Sequence, residues 1–302
     1  MSDHLLRLLR DSPRLAELAA FPFEFDLAGA EHVEEVRLAD GGPLEPVAGD
    51  GSGGTYFVCG DGSVLYADSE GSAGIIGPDV DTALEVLVGL PGWQDLLDLT
   101  PADGAEVILA RVAETEDERR EDHGIDEERA ALRSALGLPE RSPVELVALL
   151  HEALLRTEPG FLLLNAEEGC AYQLLDPLPR PTLREVVLAH APDTGALVTA
   201  GPEEDGASLF TWAGHALDLG LTEHARAALI RALDEIVMNR GALRRPGAPG
   251  ELGLSSLVRL AEAFDRLGDH TQALRARQLH TALDRPAVTT AAGTTATGTG
   301  RR

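Results

Sequence analysis

The sequence predicts an α+β fold followed by an all-helical C-terminal part, and three observations predict it. Two β-rich runs, Thr55–Cys59 and Val64–Ala67, flank Gly60-Asp61-Gly62, a Gly/Asp turn signal that makes a hairpin. Asp79 opens an amphipathic run with Val80, Ala83, Leu84, Leu87 and Val88 at i, i+3, i+4, i+7 and i+8. From Ser208 the pattern is helical and repeats: Ala213, Ala216, Leu219, Gly220, Ala225, Leu229 and Ala232 return 48 residues later as Ala261, Phe264, Leu267, Gly268, Ala273, Arg277 and His280. With 302 residues, 44% of them apolar, the chain is long enough for about two cores.

Taken in order, leucines at 5, 8, 9, 15 and 18 predict a helix broken near Pro13, where Ser12-Pro13 caps the second piece. Val33–Leu38 carries a short β signal, and Ala73–Ile76 a further strand beyond the hairpin, stopped by Gly77-Pro78. The helix from Val80 ends at Gly89 and Pro91, and Trp93, Leu96 and Leu97 start a short apolar turn. Trp93 is expected to plug the core at the end of that helix, a partner anchor or a merely exposed ring being the alternatives. Residues 1–100 thus read as one small antiparallel sheet with packed helices.

Thr100-Pro101 starts another helix, which runs into the charged stretch Glu114–Glu128; 101–140 reads as helix and charged linker, with the boundary over Thr115–Asp126. Ser142 and Glu145 form a capping box for a helix through Arg156. Phe161–Asn165 and Ala171–Leu175 flank Glu167-Glu168-Gly169 as a hairpin, and Thr182 with Glu185 forms a second capping box. A second α+β domain over 141–207 would repeat the helix–hairpin–helix order of the first. The helical part spans 208–285 as two helix–turn–helix units, and 286–302 has no core-forming pattern and is expected to be disordered.

The 51 acidic residues outnumber 25 basic ones, giving a net charge of −26, and every basic residue other than histidine is Arg. A Lys-free chain lacks Schiff-base lysines and the P-loop and kinase lysines. The acidity is concentrated: −15 over residues 1–100 and −10 over 101–180, against −3 over 181–285. Such a polyanion has no general electrostatic reason to approach nucleic acid or an anionic membrane. No apolar run reaches the ~18–20 residues of a membrane span. The first ten residues lack an apolar signal-peptide core, so the cytoplasm is the expected location. Cys59 and Cys170, without metal or CxxC spacing, are expected to be reduced thiols.

The search for chemistry finds no catalytic constellation, so the chain is expected not to be an enzyme and to need no cofactor or metal. Gly49-Asp50-Gly51-Ser52-Gly53-Gly54 resembles the chymotrypsin-type Gly-Asp-Ser-Gly-Gly only with an extra glycine inserted, and reads as a turn. No Gly-Lys-Ser/Thr follows it, and neither Asp50 nor Asp61 starts an EF-hand. His151-Glu152 lacks the second histidine of a zinc-protease helix. His215 and His224 could meet across one helical hairpin, with surface or capping roles as the plain reading. Glu34-Glu35 and Glu167-Glu168 are neighbours that point to opposite faces of β segments.

Two resemblances add to this. The run Gly53-Gly54-Thr55-Tyr56-Phe57-Val58-Cys59-Gly60-Asp61-Gly62, then Val64–Ile76 with Ser69-Glu70-Gly71, then Val86–Leu96 with Gly89-Leu90-Pro91-Gly92-Trp93, resembles bacterial members of the SUKH superfamily over roughly residues 20–100. The family's early Leu-Pro and Asn-Gly positions are missing; Ala39-Asp40-Gly41-Gly42 stands in that region. The resemblance implies an α+β domain without shared catalytic residues. It also implies a binding role, since many members are immunity proteins that neutralise polymorphic toxins and fungal founders regulate cell-wall synthesis. The helical units resemble tetratricopeptide-type hairpins in their Gly and Ala positions, an ordinary four-helix bundle being the alternative.

The leading expectation is therefore a non-enzymatic, immunity-protein-like binding module. Its partner would be a protein, such as a basic toxin domain, bound through an acidic face around Glu34, Asp50, Asp61, Asp68 and Glu70. One alternative is a regulatory scaffold that binds peptides or proteins in a groove of the helical hairpins, with charge from Arg226, Arg231, Arg259, Arg266, Arg275 and Arg277. Another is a hydrolase or transferase with an unrecognised site, such as His215 or His151 beside carboxylates.

Overall fold

The computed structural model describes residues 3–122, 124–193, 206–238 and 254–284. The expected tail over 286–302 lies outside these residues, as does the loop around Arg244–Gly250. The fold is α+β, with a five-stranded sheet, a two-stranded sheet and eleven helices among the described residues.

Helices α1 (Asp3–Asp11) and α2 (Pro13–Ala20) break at Ser12, whose hydroxyl accepts from the Leu15 amide. Strands β2 (Leu44–Gly49), β3 (Thr55–Cys59), β4 (Val64–Ala67) and β5 (Ser72–Gly77) form an antiparallel meander. A short strand, β1 (Val36–Leu38), precedes them. Helix α3 (Val80–Gly89) starts where Asp79 caps the Thr82 amide. Side chains alternate across the meander with period two. Tyr56, Val64, Tyr66 and Ile76 face a core shared with α1–α3, whereas Phe57, Cys59, Leu65, Ala67, Ala73 and Ile75 face a second core. Both faces are covered, which is why β3 and β4 read as nearly unbroken apolar runs.

The later segments join these layers. Helices α4 (Ala105–Asp122) and α5 (Ile125–Leu136) occupy the stretch expected as helix and charged linker, and they bury Ile108, Val112, Ile125, Leu132 and Leu136 in the first core. Helix α6 (Pro143–Leu155) adds Leu146, Val147, Leu150 and Leu154. The hairpin expected from Phe161 to Leu175 forms, with Leu164 bridged to Ala171, but its strands also join earlier ones: β6 (Leu163–Asn165) pairs antiparallel with β1, and β7 (Gln173–Leu174) pairs parallel with β5. The strand order is β2-β3-β4-β5-β7. The β1–β6 ribbon covers the second face through Leu38 and Leu163.

Strand β7 is too short to satisfy all of β5. Beyond it the Ile75 amide donates to the Thr157 hydroxyl at 2.9 Å, with Thr157 only 2% exposed. Thr157→Val keeps the shape and removes the acceptor, so it is expected to cost ~1–3 kcal/mol in urea unfolding, while Thr157→Ser restores most of the loss. Equal stability of Thr157→Val and wild type would contradict this role.

Helix α7 (Leu183–His190) leads to two helical hairpins, α8 (Gly206–Asp218) with α9 (Thr222–Met238), and α10 (Leu254–Arg266) with α11 (His270–Asp284). The 48-residue offset is structural: α8 and α10 start and stop that far apart. Gly220 and Gly268 end their helices at φ 76° and 74°, and the bonds Leu221 N–H to Ala216 O and Asp269 N–H to Phe264 O are equivalent. These helices pack with Val187 of α7, and with Leu162 and Leu164 of the ribbon, in a third core.

Candidate functional site

Three carboxylates of the expected acidic face build the turns of the meander. Asp50 Oδ1 accepts from the amides of Ser52 and Gly54, each at 2.8 Å, and its Oδ2 accepts from the Tyr66 hydroxyl at 2.6 Å. Asp68 Oδ1 accepts from the amides of Glu70 and Ser72 at 2.9 and 2.8 Å. Asp61 accepts from the Ser63 amide at 2.9 Å. An Asp side chain that bonds forward to the backbone fixes the turn it starts. Burial pushes the Asp50 carboxyl up, but the bonds from Tyr66, Ser52 and Gly54 outweigh it and hold the group below its usual range.

A meander places alternate turns at opposite ends. The Asp50 and Asp68 turns lie side by side, joined by Ser69 Oγ donating to the Ser52 carbonyl at 3.2 Å. Asp61 sits at the other end, in an ion pair with Arg156 at 3.2 Å. The five expected residues therefore do not share one face: Glu34, Asp50, Asp68 and Glu70 gather at one end, and Asp61 is apart.

Glu34 reaches this end through contacts that the sequence did not reveal. Its Oε2 accepts from the Tyr172 hydroxyl at 2.7 Å and from Asn165 Nδ2 at 2.9 Å. These two bonds, Tyr172 first, hold its carboxyl below the usual range. His32 Nε2 lies 3.0 Å from the same tyrosine hydroxyl, and His32 Nδ1 lies 3.0 Å from Thr55 Oγ1. Its ring meets Phe57 edge-on, with centroids 5.4 Å apart. Burial lowers the His32 pKa below 6.5, while Glu34 opposes that shift. Burial, then the Glu34 hydrogen bond, raises the Tyr172 pKa, so its hydroxyl remains a donor.

Among the described residues no arginine forms an ion pair with the acids of this end. Between Arg14 and Arg111 the only cationic side chains are His32 and Arg37, and Arg37 alternates on β1 with the inward Val36 and Leu38. Elsewhere arginines are paired with acids: Arg119 with Glu24, Arg129 with Glu116, Arg180 with Asp176 and Arg231 with Glu158. Among the described residues Glu31, Glu34, Glu35, Asp50, Asp68 and Glu70 have no ion-pair partner, and the β6–β7 turn adds Glu167 and Glu168 beside Asn165. Val33, 97% exposed, stands among them.

The arginines of the helical hairpins do not form a free cluster. Arg226 pairs with Glu223, Arg277 with Asp265, and Arg259 lies over the Phe210 ring at 4.2 Å. Arg231 donates to the Tyr172 carbonyl at 2.6 Å, and Arg275 bonds Asp234 and the Gly169 carbonyl, each at 2.9 Å. Gln272 also donates to that carbonyl, and Asp234 accepts from the Ala171 amide at 2.9 Å. Helices α9 and α11 thus grip the backbone of 169–172, the segment that carries Tyr172; Arg266 is exposed.

The remaining candidates are readily placed. Cys59 and Cys170 are not joined in a disulfide, Cys170 Sγ accepts from Arg275 at 2.8 Å, and burial, aided by Asp61, pushes the Cys59 thiol up to about 12. Burial lowers the His224 pKa, and the histidine that adds to this is His190. His215 instead lies against the Trp212 ring. A cavity of about 380 Å³ between Leu155–Pro159, α7 and α9 is lined by apolar side chains with the Glu158–Arg231 pair, Arg180 and His224. Among the described residues no group of three or more side chains could hold a metal ion, and no helix is long and apolar enough to cross a membrane. Comparison with protein-family models, curated proteins and solved structures finds no match to this chain.

Proposed function

We propose that this chain is a non-enzymatic cytoplasmic binding module, of the immunity-protein type, whose docking face is the acidic end of the sheet and whose partner is a basic toxin domain. The observation that carries the reading is the uncompensated charge at that end, in a molecule that pairs so many of its other acids with arginines. A field of one sign speeds encounter with a basic protein by ~10–10³-fold at low salt. The resemblance of residues 20–100 to the SUKH superfamily supports the same role. Peptide binding by the helical hairpins has less support, because five of their six arginines are engaged internally.

The test is association with basic toxin domains, measured at ~50 mM and ~1 M salt. Glu34→Arg with Glu70→Arg should slow association at least tenfold, and Asp61→Arg, at the other end, should leave it near wild type. Binding that survives the double reversal and ~1 M salt unchanged would sink the electrostatic docking face.

A further inference from the structure

We propose that the cavity between the end of α6, α7 and α9 is a binding site for an uncharged, largely apolar small molecule, with His224 as its hydrogen-bonding partner. None of its walls belongs to the acidic end, so this reading and the docking face stand or fall separately.

One face of α9 makes the site. His224, Ala227, Ala228 and Arg231 follow at i, i+3, i+4 and i+7, the spacing that puts four side chains on a single stripe of a helix. The polar residues stand at the two ends of the stripe, about 10 Å apart along the axis. The two positions between them are alanines, whose small side chains leave the room that a leucine or phenylalanine would fill. The facing walls are Leu183 and Val186 of α7, with the chain at Pro159 and at Pro179 and Pro181. Proline rings restrict the backbone there, so the space is built into the fold. Its volume, about 380 Å³, lies within the ~300–1,000 Å³ of small-molecule sites. Glu158, Pro159 and His224 also border an open groove beside the α8–α9 turn, at Gly220–Glu223, which gives the cavity a mouth.

The charges on the walls choose the ligand. Arg231 is neutralised by Glu158 at 2.7 Å and donates to the Tyr172 carbonyl at 2.6 Å. Arg180 is neutralised by Asp176 at 2.7 Å and donates to the Leu154 carbonyl at 2.8 Å. An ionic ligand would lose its hydration and meet no spare counter-charge. His224 is different. Among the described residues it has no hydrogen-bond partner, and it stands where the cavity meets its mouth. Burial, then His190, lowers its pKa, so at neutral pH the ring is uncharged and offers one donor and one acceptor. The fitting molecule has an apolar body about as long as two turns of helix. It carries one hydrogen-bonding group, such as an arylamine N–H, a hydroxyl or an amide, at the end that meets His224.

The experiment uses a matched pair of fluorescent probes on the full chain. N-Phenyl-1-naphthylamine is apolar and uncharged and carries one N–H; 1-anilinonaphthalene-8-sulfonate is the same frame with a sulfonate added. The uncharged probe should bind saturably, one molecule per chain, and the sulfonate at least about tenfold more weakly. Ala228→Phe and Ala227→Leu each place a larger side chain in the cavity and should abolish binding. Both fill space and create none, so both should melt at or above the wild-type temperature. His224→Leu keeps an apolar wall and should weaken the uncharged probe by about threefold to tenfold. Four results would each overturn the site: no saturable binding, equal affinity for the two probes, binding that persists in both filled variants, or a His224→Leu protein that binds like wild type. Should one filled variant fail to fold, the other decides.

Discussion

Trp93→Ala should lower the stability of the chain by ~3–5 kcal/mol, the cost of truncating a large buried aromatic. Trp93 is 2% exposed and its ring stands edge-on to Tyr66 with centroids 5.1 Å apart. Tyr66 in turn donates to Asp50, so the indole supports the residue that fixes one turn of the acidic end. Thermal and urea unfolding should both report the loss, and Trp93→Phe should recover part of it. A Trp93→Ala protein that melts with wild type would remove the indole from the core and reopen its reading as a partner anchor.

Asp176→Ala should have a similar effect, ~3–5 kcal/mol, for a different reason. The Asp176 side chain is fully buried and receives both terminal nitrogens of Arg180, at 2.7 and 2.9 Å. Arg180 also donates to the Leu154 carbonyl, which ties the end of α6 to the segment before α7. Removing the carboxylate leaves a guanidinium only 12% exposed without its counter-charge. The double variant Asp176→Leu with Arg180→Met removes both charges and should be more stable than Asp176→Ala by ~1 kcal/mol or more. If the double variant is the less stable of the two, the pair is stabilising in its own right and the argument from an orphaned charge fails.

Local signals in the sequence carried much of this fold. Strands β3 and β4, the Asp79 cap and the capping boxes at Ser142 and Thr182 each depend on a few adjacent residues, and the structure has them where the sequence put them. Strand β2 gave no such signal, because Pro46 and the irregular register between Pro46 and Ala48 break its alternation. Pairings β1–β6 and β5–β7 join segments roughly 100 to 130 residues apart, and no periodicity records which distant strand completes a sheet. The end of helix α4 read as solvated helix or linker because only a narrow side of the helix, through Ile108, Val112 and Thr115, is buried beneath many exposed charges.

The candidate site was legible in composition and hidden in geometry. Acidity marked the first part of the chain, but adjacent carboxylates say nothing of which turn end they occupy. Asp50, Asp61 and Asp68 looked alike in sequence, each followed by Gly or Ser, because each needs a neighbour that tolerates a tight turn. His32 and Tyr172 had no local signal at all; their meeting depends on β7 docking beside β5.

That late-arriving strand has a consequence for synthesis. The ribosome completes β5 at Gly77 roughly a hundred residues before Gln173 emerges to cover its edge, an interval of about 5–20 s at ~5–20 residues per second. Over that interval the nascent chain presents an open strand edge and an uncovered apolar surface that includes Leu65 and Ile75. Pairing of that edge with another nascent chain is the hazard, and close ribosome spacing on the message would raise it. Expression should therefore yield more folded protein when initiation is slowed than when it is driven hard.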